Sequence, residues 1–247
     1  MSDKNIVFLH AFPFNSAMWQ EQIRLLPSGW NTFAPNLPGF GNTPVTQPSL
    51  DDWASWLLDQ MEQRGIKRTF LVGLSMGGYL AFRLLAIAPK RFLGVLLADT
   101  RAAADTPEGK LRRTATAAKV REEGIDWMPE AQMPGLLAAQ TIANKPSVVD
   151  FVRTMILDAN PAGVEQALLA MRDRPDSSDV ASKLTMPVSV VCGLEDVLSP
   201  PREMAELAAT IPGASFHEIP GAGHLSCLEE PNHFAEILAD LLNCNVP

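Results

Sequence analysis

Cysteine is scarce: the 247 residues hold three, Cys192, Cys227 and Cys244, with no C-x-x-C pair among them. An odd number cannot all be bridged, which argues against a disulfide-stapled secreted scaffold and makes a reducing cytoplasm the expected setting. Four histidines are scattered without a metal-ligand spacing such as H-E-x-x-H, so no metal is expected. Positive charge is also short, with 20 Lys+Arg against 28 Asp+Glu and a formal net charge of −8. Such a chain is poorly suited to neutralising phosphates, and nucleic acid is not an expected partner. Long apolar runs are missing too. Phe92 to Ala98, with Gly94 inside it, is among the longest, far below the roughly 20 residues of a membrane span. The opening MSDKNIVFLH shows neither a signal-peptide apolar region nor a small-residue cleavage site, so neither secretion nor a membrane partner is expected. Gly39-Phe40-Gly41 lacks the later glycine and the helix of a dinucleotide fingerprint, and no cofactor is expected.

With 47% hydrophobic and 19% charged residues, the chain can offset its ordering entropy and fold around a large core. Short β-type runs recur at Asn5 to His10, Thr32 to Pro35, Thr69 to Gly73, Phe92 to Asp99, Val188 to Gly193 and Ser215 to Ile219. Several are apolar on successive residues (IVFL, FLV, VLLA, VSVVC), as strands covered on both faces are. Helical patterns separate them at Ala17 to Leu26, Leu50 to Arg64, Gly77 to Ala88, Pro201 to Thr210 and Pro231 to Leu242. The alternation predicts an α/β fold, a mostly parallel sheet of about six strands flanked by helices. It breaks between Arg101 and Lys183, where helical periodicity runs over Leu111 to Glu123, Met133 to Ile142, Ser147 to Leu157 and Pro161 to Met171. The expected organisation is a core of residues 1–100 and 184–247 with an all-helical cap, 101–183, inserted after the strand ending at Asp99.

The sharpest motif is Gly73-Leu74-Ser75-Met76-Gly77, a G-x-S-x-G between the strand TFLV and the helix YLAFRLLA. Small residues two before and two after the serine suit a tight strand-to-helix turn, which lifts the Ser75 hydroxyl clear of the sheet at a helix N-terminus. A serine hydroxyl is a weak nucleophile until a base takes its proton. His224, in the loop Gly221-Ala222-Gly223-His224 after the last strand, is the candidate base; His217 lies within a strand and His233 on the terminal helix. A carboxylate must then hold the imidazole in one tautomer. Asp196, just past the strand VSVV, completes the chain order Ser, Asp, His, and Asp99, closing the strand beside the nucleophile, is its rival. The loop His10-Ala11-Phe12-Pro13 can lend the Phe12 N–H to an oxyanion hole and Met76 the second; Pro13 has none to lend. His10 is read as a brace for that loop.

On these residues, and on HAFPF, NLPGFGNT, GLSMGG, GLEDVLSP and GAGH, the chain resembles the α/β-hydrolase superfamily along its whole length except the cap. Within it, the chain is similar to small cytoplasmic carboxylesterases, enol-lactonases of the 3-oxoadipate type and cofactor-free haloperoxidases, which share the GLSMGG elbow. One departure is His10-Ala11 where the first loop of the family has His-Gly; the backbone donor survives the change. The resemblance implies acyl transfer to water by a Ser75–His224–Asp196 triad, with a small-molecule ester as substrate. A lactonase or a C–C bond hydrolase would use the same three residues. A halide–carbon hydrolase would need an aspartate at position 75. A non-catalytic ligand receptor on this scaffold would have no use for the complete set.

In the cap, Trp127, Met128 and Met133 are candidates for an apolar substrate pocket, with Leu136, Leu137, Met155 and Ile156 beside them. The segment from Arg101 to Arg121 carries Arg101, Lys110, Arg112, Arg113, Lys119 and Arg121 against only Asp105 and Glu108. Two readings fit it: a solvated helix face, or an inward cation that holds a substrate carboxylate.

Overall fold

The computed structural model describes residues 4–243, so Cys244 lies outside the described residues. Its sheet has six strands: β1 (Asn5–Leu9), β2 (Asn31–Phe33), β3 (Thr69–Leu74), β4 (Phe92–Ala98), β5 (Val188–Gly193) and β6 (Ser215–Ile219). They lie in the order β2-β1-β3-β4-β5-β6, every neighbouring pair parallel. Successive buried residues in β1, Ile6, Val7, Phe8 and Leu9, mark a strand covered on both faces.

Around the sheet run α1 (Gln20–Leu25), α2 (Leu50–Gln63), α3 (Met76–Ile87), α10 (Pro201–Thr210), α11 (Ser226–Glu229) and α12 (Pro231–Asn243). Because neighbouring strand residues face opposite ways, Phe8 and Leu9 show which helices cover which face. Phe8 packs on Trp19, whose ring meets Phe234 of α12. Leu9 meets the start of α3, where a Cβ on Gly77 would stand 2.1 Å from the Leu9 carbonyl oxygen. Only glycine permits that approach, and it seats α3 directly on β1.

Between β4 and β5 the chain forms α4 (Pro107–Glu123), α5 (Met128–Leu136), α6 (Ala139–Asn144), α7 (Pro146–Leu157), α8 (Pro161–Asp173) and α9 (Ser178–Ala181). Helix α4 starts earlier than its apolar periodicity implies, because Thr106 caps it through the Gly109 N–H and Pro107 opens its first turn. The helix expected over Met133 to Ile142 is instead two, broken at Leu137 and Ala138, whose backbone is extended. Long-range hydrogen bonds account for the break. The Ala138 N–H donates to Glu229 Oε2 at 2.8 Å, and the Leu136 carbonyl accepts from the Leu225 N–H at 3.2 Å. Both groups would have served the helix; one is drawn to Glu229 of α11 and the other to Leu225, the residue after His224. No described helix is long and apolar enough to cross a membrane.

Candidate active site

Ser75 stands between β3 and α3 with φ 53° and ψ −114°, in a region a side chain adopts only when its surroundings enforce it. Its N–H donates to the Ala98 carbonyl at 3.0 Å, and its own carbonyl accepts from Gly78 N, Tyr79 N and Thr100 Oγ1. The turn is thus held through the Ser75 backbone N–H and carbonyl, and none of these bonds uses Oγ. From Thr69 to Phe82 every residue is buried except Ser75.

Two further loops converge on it from the ends of β5 and β6. His224 Nε2 lies 2.8 Å from Ser75 Oγ, and His224 Nδ1 lies 2.8 Å from Asp196 Oδ2. A carboxylate only accepts, so Nδ1 carries the ring proton and Nε2 presents its lone pair to the serine hydroxyl. Asp196 Oδ1 accepts from the Leu198 and Ser199 N–H groups at 2.7 and 3.0 Å, which fixes the carboxylate plane. Gly193 and Gly223 let the two loops touch: a Cβ on Gly193 would lie 1.9 Å from the Gly223 carbonyl oxygen. Burial works against charge on His224, yet the Asp196 carboxylate beside it outweighs burial and holds the imidazole above its ordinary value. Burial likewise works against an ionised Asp196, but the His224 ring and the two amides keep it below the usual carboxylate range.

Asp99, the rival carboxylate, is fully buried with a φ of 47° and makes no hydrogen bond to His224. Its Oδ1 accepts from the Gly193 N–H at 2.8 Å and its Oδ2 from the Ser226 hydroxyl, joining the ends of β4 and β5 to α11. Burial, followed by the nearby Asp196 charge, pushes its carboxyl well above the usual range. Asp99, Asp196 and Cys192 cluster closely. Their polar atoms are all engaged within the protein, Cys192 Sγ donating to the Gly193 and Ser199 carbonyls, and burial pushes that thiol up.

His10 braces its loop: Leu37 N–H donates to Nε2 at 3.0 Å while Nδ1 donates to the Ala11 carbonyl, and burial lowers its pKa to about 4. The Phe12 N–H meets no backbone acceptor among the described residues. Met76 opens α3, so its N–H has no partner within the helix. His217 is engaged with Ser215 Oγ on β6, and His233 lies on α12; neither lines the cavity below.

Ser75 and His224 open into a cavity of about 460 Å³. Its apolar lining comes from Phe12, Leu136, Leu168, Met171, Val197 and Leu198. Trp127, Met128 and Met133 do not line it. Met128 and Met133 are buried in the core, and Trp127 donates Nε1–H to the Gly124 carbonyl under the Lys119 ammonium. The core takes up the two methionines because it needs apolar filling as much as a pocket does. Both readings of the basic segment hold in part, since Arg101, Arg112 and Arg113 line the cavity while Lys110, Lys119 and Arg121 do not.

Glu229 was not singled out by the sequence and is the least legible part of the site. Fully buried at the end of α11, it accepts from the Gly223 N–H through Oε1 and from the Ala138 N–H through Oε2, each at 2.8 Å. One carboxylate thereby ties the residue before His224 to the inserted helices. Glu229→Gln keeps one acceptor and turns an NH₂ toward a buried N–H. The lost bond should cost about 1–3 kcal/mol and lower the melting temperature by roughly 2–12 °C, read by differential scanning calorimetry.

The α/β hydrolase fold family matches residues 4–231, and the chain belongs to that family. Its structure is similar to that of a thermophilic esterase from Thermogutta terrifontis, solved with malate bound. The two share 37% identity over 97% of this chain and 89% of that one, with a TM-score of 0.94. The enol-lactonase from Burkholderia xenovorans LB400 is 26% identical over 98% of this chain and 92% of that one, with a TM-score of 0.91. In sequence, the pimeloyl-[acyl-carrier protein] methyl ester esterase of Aromatoleum aromaticum is 25% identical over 98% of this chain and 99% of its own length.

Proposed function

We propose that the protein is a carboxylesterase-like serine hydrolase that cleaves a small-molecule carboxylic ester through an acyl-enzyme. The observation that carries this reading is the unbroken hydrogen-bond chain from Asp196 through His224 to Ser75 Oγ, opening on a cavity. Ser75 Oγ attacks the ester carbonyl as His224 Nε2 takes its proton. The oxygen that gains charge is received by the N–H groups of Phe12 and Met76. Collapse of the tetrahedral intermediate expels the alcohol, which takes the proton from His224. Water then repeats the sequence on the acyl group and frees the acid. Asp196 fixes the His224 tautomer and stabilises the imidazolium. No step draws on a metal or cofactor.

The likeness to the Thermogutta esterase supports this reading. A second reading, lactone hydrolysis by the same residues, is favoured by the enol-lactonase likeness and by the guanidinium groups in the cavity wall. Screening p-nitrophenyl esters of graded length, lactones and diketones, with Ser75→Ala as control, separates the two readings from each other and from C–C cleavage. Absence of any Ser75-dependent turnover across that panel would refute the hydrolase reading. The buried, unbridged thiols of Cys192 and Cys227 suit a reducing cytoplasm.

The pH profile follows from the electrostatics. His224 acts as base only when neutral, so kcat/KM should fall as pH drops through its raised pKa, at a midpoint above the ordinary value of about 6.5. Asp196 supplies the upward pull, so the residual activity of Asp196→Asn should show its acid limb at lower pH. Initial rates across the pH range would check this, and an unmoved limb would assign the ionisation to another group.

A further inference from the structure

Resting on the ester-hydrolase reading of the same cavity, we infer that the preferred substrate carries a carboxylate remote from the scissile ester, bound by the Arg112 guanidinium. The six cations between Arg101 and Arg121 divide in the fold. Lys119 sits over Trp127 near Glu123, Arg121 pairs with Glu165, and Lys110 is exposed; none of these lines the cavity. Arg101, Arg112 and Arg113 do, in the same cavity that Ser75 and His224 line.

The acids available cannot neutralise that lining. Asp105, its one acidic residue, is shared between Arg113 and the buried Arg174. Arg101 donates to the Leu198 carbonyl and lies 3.4 Å from Glu203, yet its Nε is buried without an acceptor. Arg112 is exposed, lines the cavity, and has no side-chain acceptor among the described residues, so its guanidinium has donors to offer a ligand. Excess positive charge lining one cavity of a chain with net charge −8 focuses an attractive potential on anions there. A planar guanidinium matches a carboxylate through paired N–H donors, and the apolar lining from Leu168, Met171 and Leu136 suits the alkyl spacer between carboxylate and ester.

The test compares p-nitrophenyl hydrogen adipate with p-nitrophenyl hexanoate. Wild-type protein should show kcat/KM higher for the anion by about tenfold or more, the value of one charge-assisted hydrogen bond. Arg112→Gln should abolish most of that ratio, and added salt should narrow it in the wild type. Lys110→Gln removes the same charge from the same helix outside the cavity and should leave the ratio unchanged. A neutral ester equal to or better than the anion, or a ratio that Arg112→Gln leaves intact, overturns the assignment. Should neither ester be cleaved, the hydrolytic reading fails by itself. Titration calorimetry of monomethyl adipate into Ser75→Ala then decides the anion site: binding that the added Arg112→Gln change removes supports it, and absence of binding overturns it.

Discussion

Ser75→Ala should lower ester turnover by roughly 10³- to 10⁶-fold with the fold intact, because triad members act as a unit and leave only the oxyanion donors and substrate binding when one is removed. Both halves of that expectation come from the geometry. The unusual backbone at Ser75 is held by its N–H on Ala98 and by its carbonyl under Gly78, Tyr79 and Thr100, and none of these bonds uses Oγ. Alanine keeps the Cβ and faces the same backbone constraint, so only the bond to His224 Nε2 is lost. His224→Ala should match the loss in rate. Circular dichroism and a thermal melt would establish that both variants fold, and a Ser75→Ala enzyme retaining more than about a tenth of wild-type kcat would remove Ser75 as the nucleophile.

What the sequence made legible follows from where each residue sits along the chain. Ser75 and Asp196 lie just past the apolar strands β3 and β5, and His224 lies in the loop after the more polar β6; parallel strands deliver their C-terminal loops to one edge of the sheet. Three such loops therefore converge whatever the helices do. The inserted helices were a harder case. Periodicity shows that a segment is helical and which stripe is apolar, but not which neighbour that stripe meets, so residue type alone does not tell that Trp127, Met128 and Met133 pack against the core. The break at Leu137 and Ala138 and the clamp by Glu229 join groups 91 residues apart. A backbone N–H recruited over that distance leaves no local signature. Arg112 was visible as a charge, but its place in the cavity wall came only with the fold.

Exchanging Asp196 and Asp99 each for its amide should give opposite results. Asp196→Asn should reduce kcat by about 10⁴-fold. Its Oδ1 can still accept from Leu198 and Ser199, so the loop keeps its shape, but Nδ2 then donates toward His224 Nδ1. The ring must move its proton to Nε2, and a protonated Nε2 cannot accept the proton of Ser75. Asp99→Asn should cost little, for reasons equally specific. Asp99 holds one N–H donor, on Gly193, and one hydroxyl, on Ser226, which can rotate and accept instead of donate. An asparagine oriented with its oxygen on Gly193 and its NH₂ on Ser226 satisfies both. Burial already drives the Asp99 carboxyl toward its neutral form, which the amide resembles in charge and shape. Single-turnover kinetics on the two variants, with melting curves to set aside any loss of fold, would rank them. A larger rate loss at Asp99 than at Asp196 would transfer the orienting role to Asp99 and leave the 2.8 Å contact between Asp196 and His224 without a catalytic function.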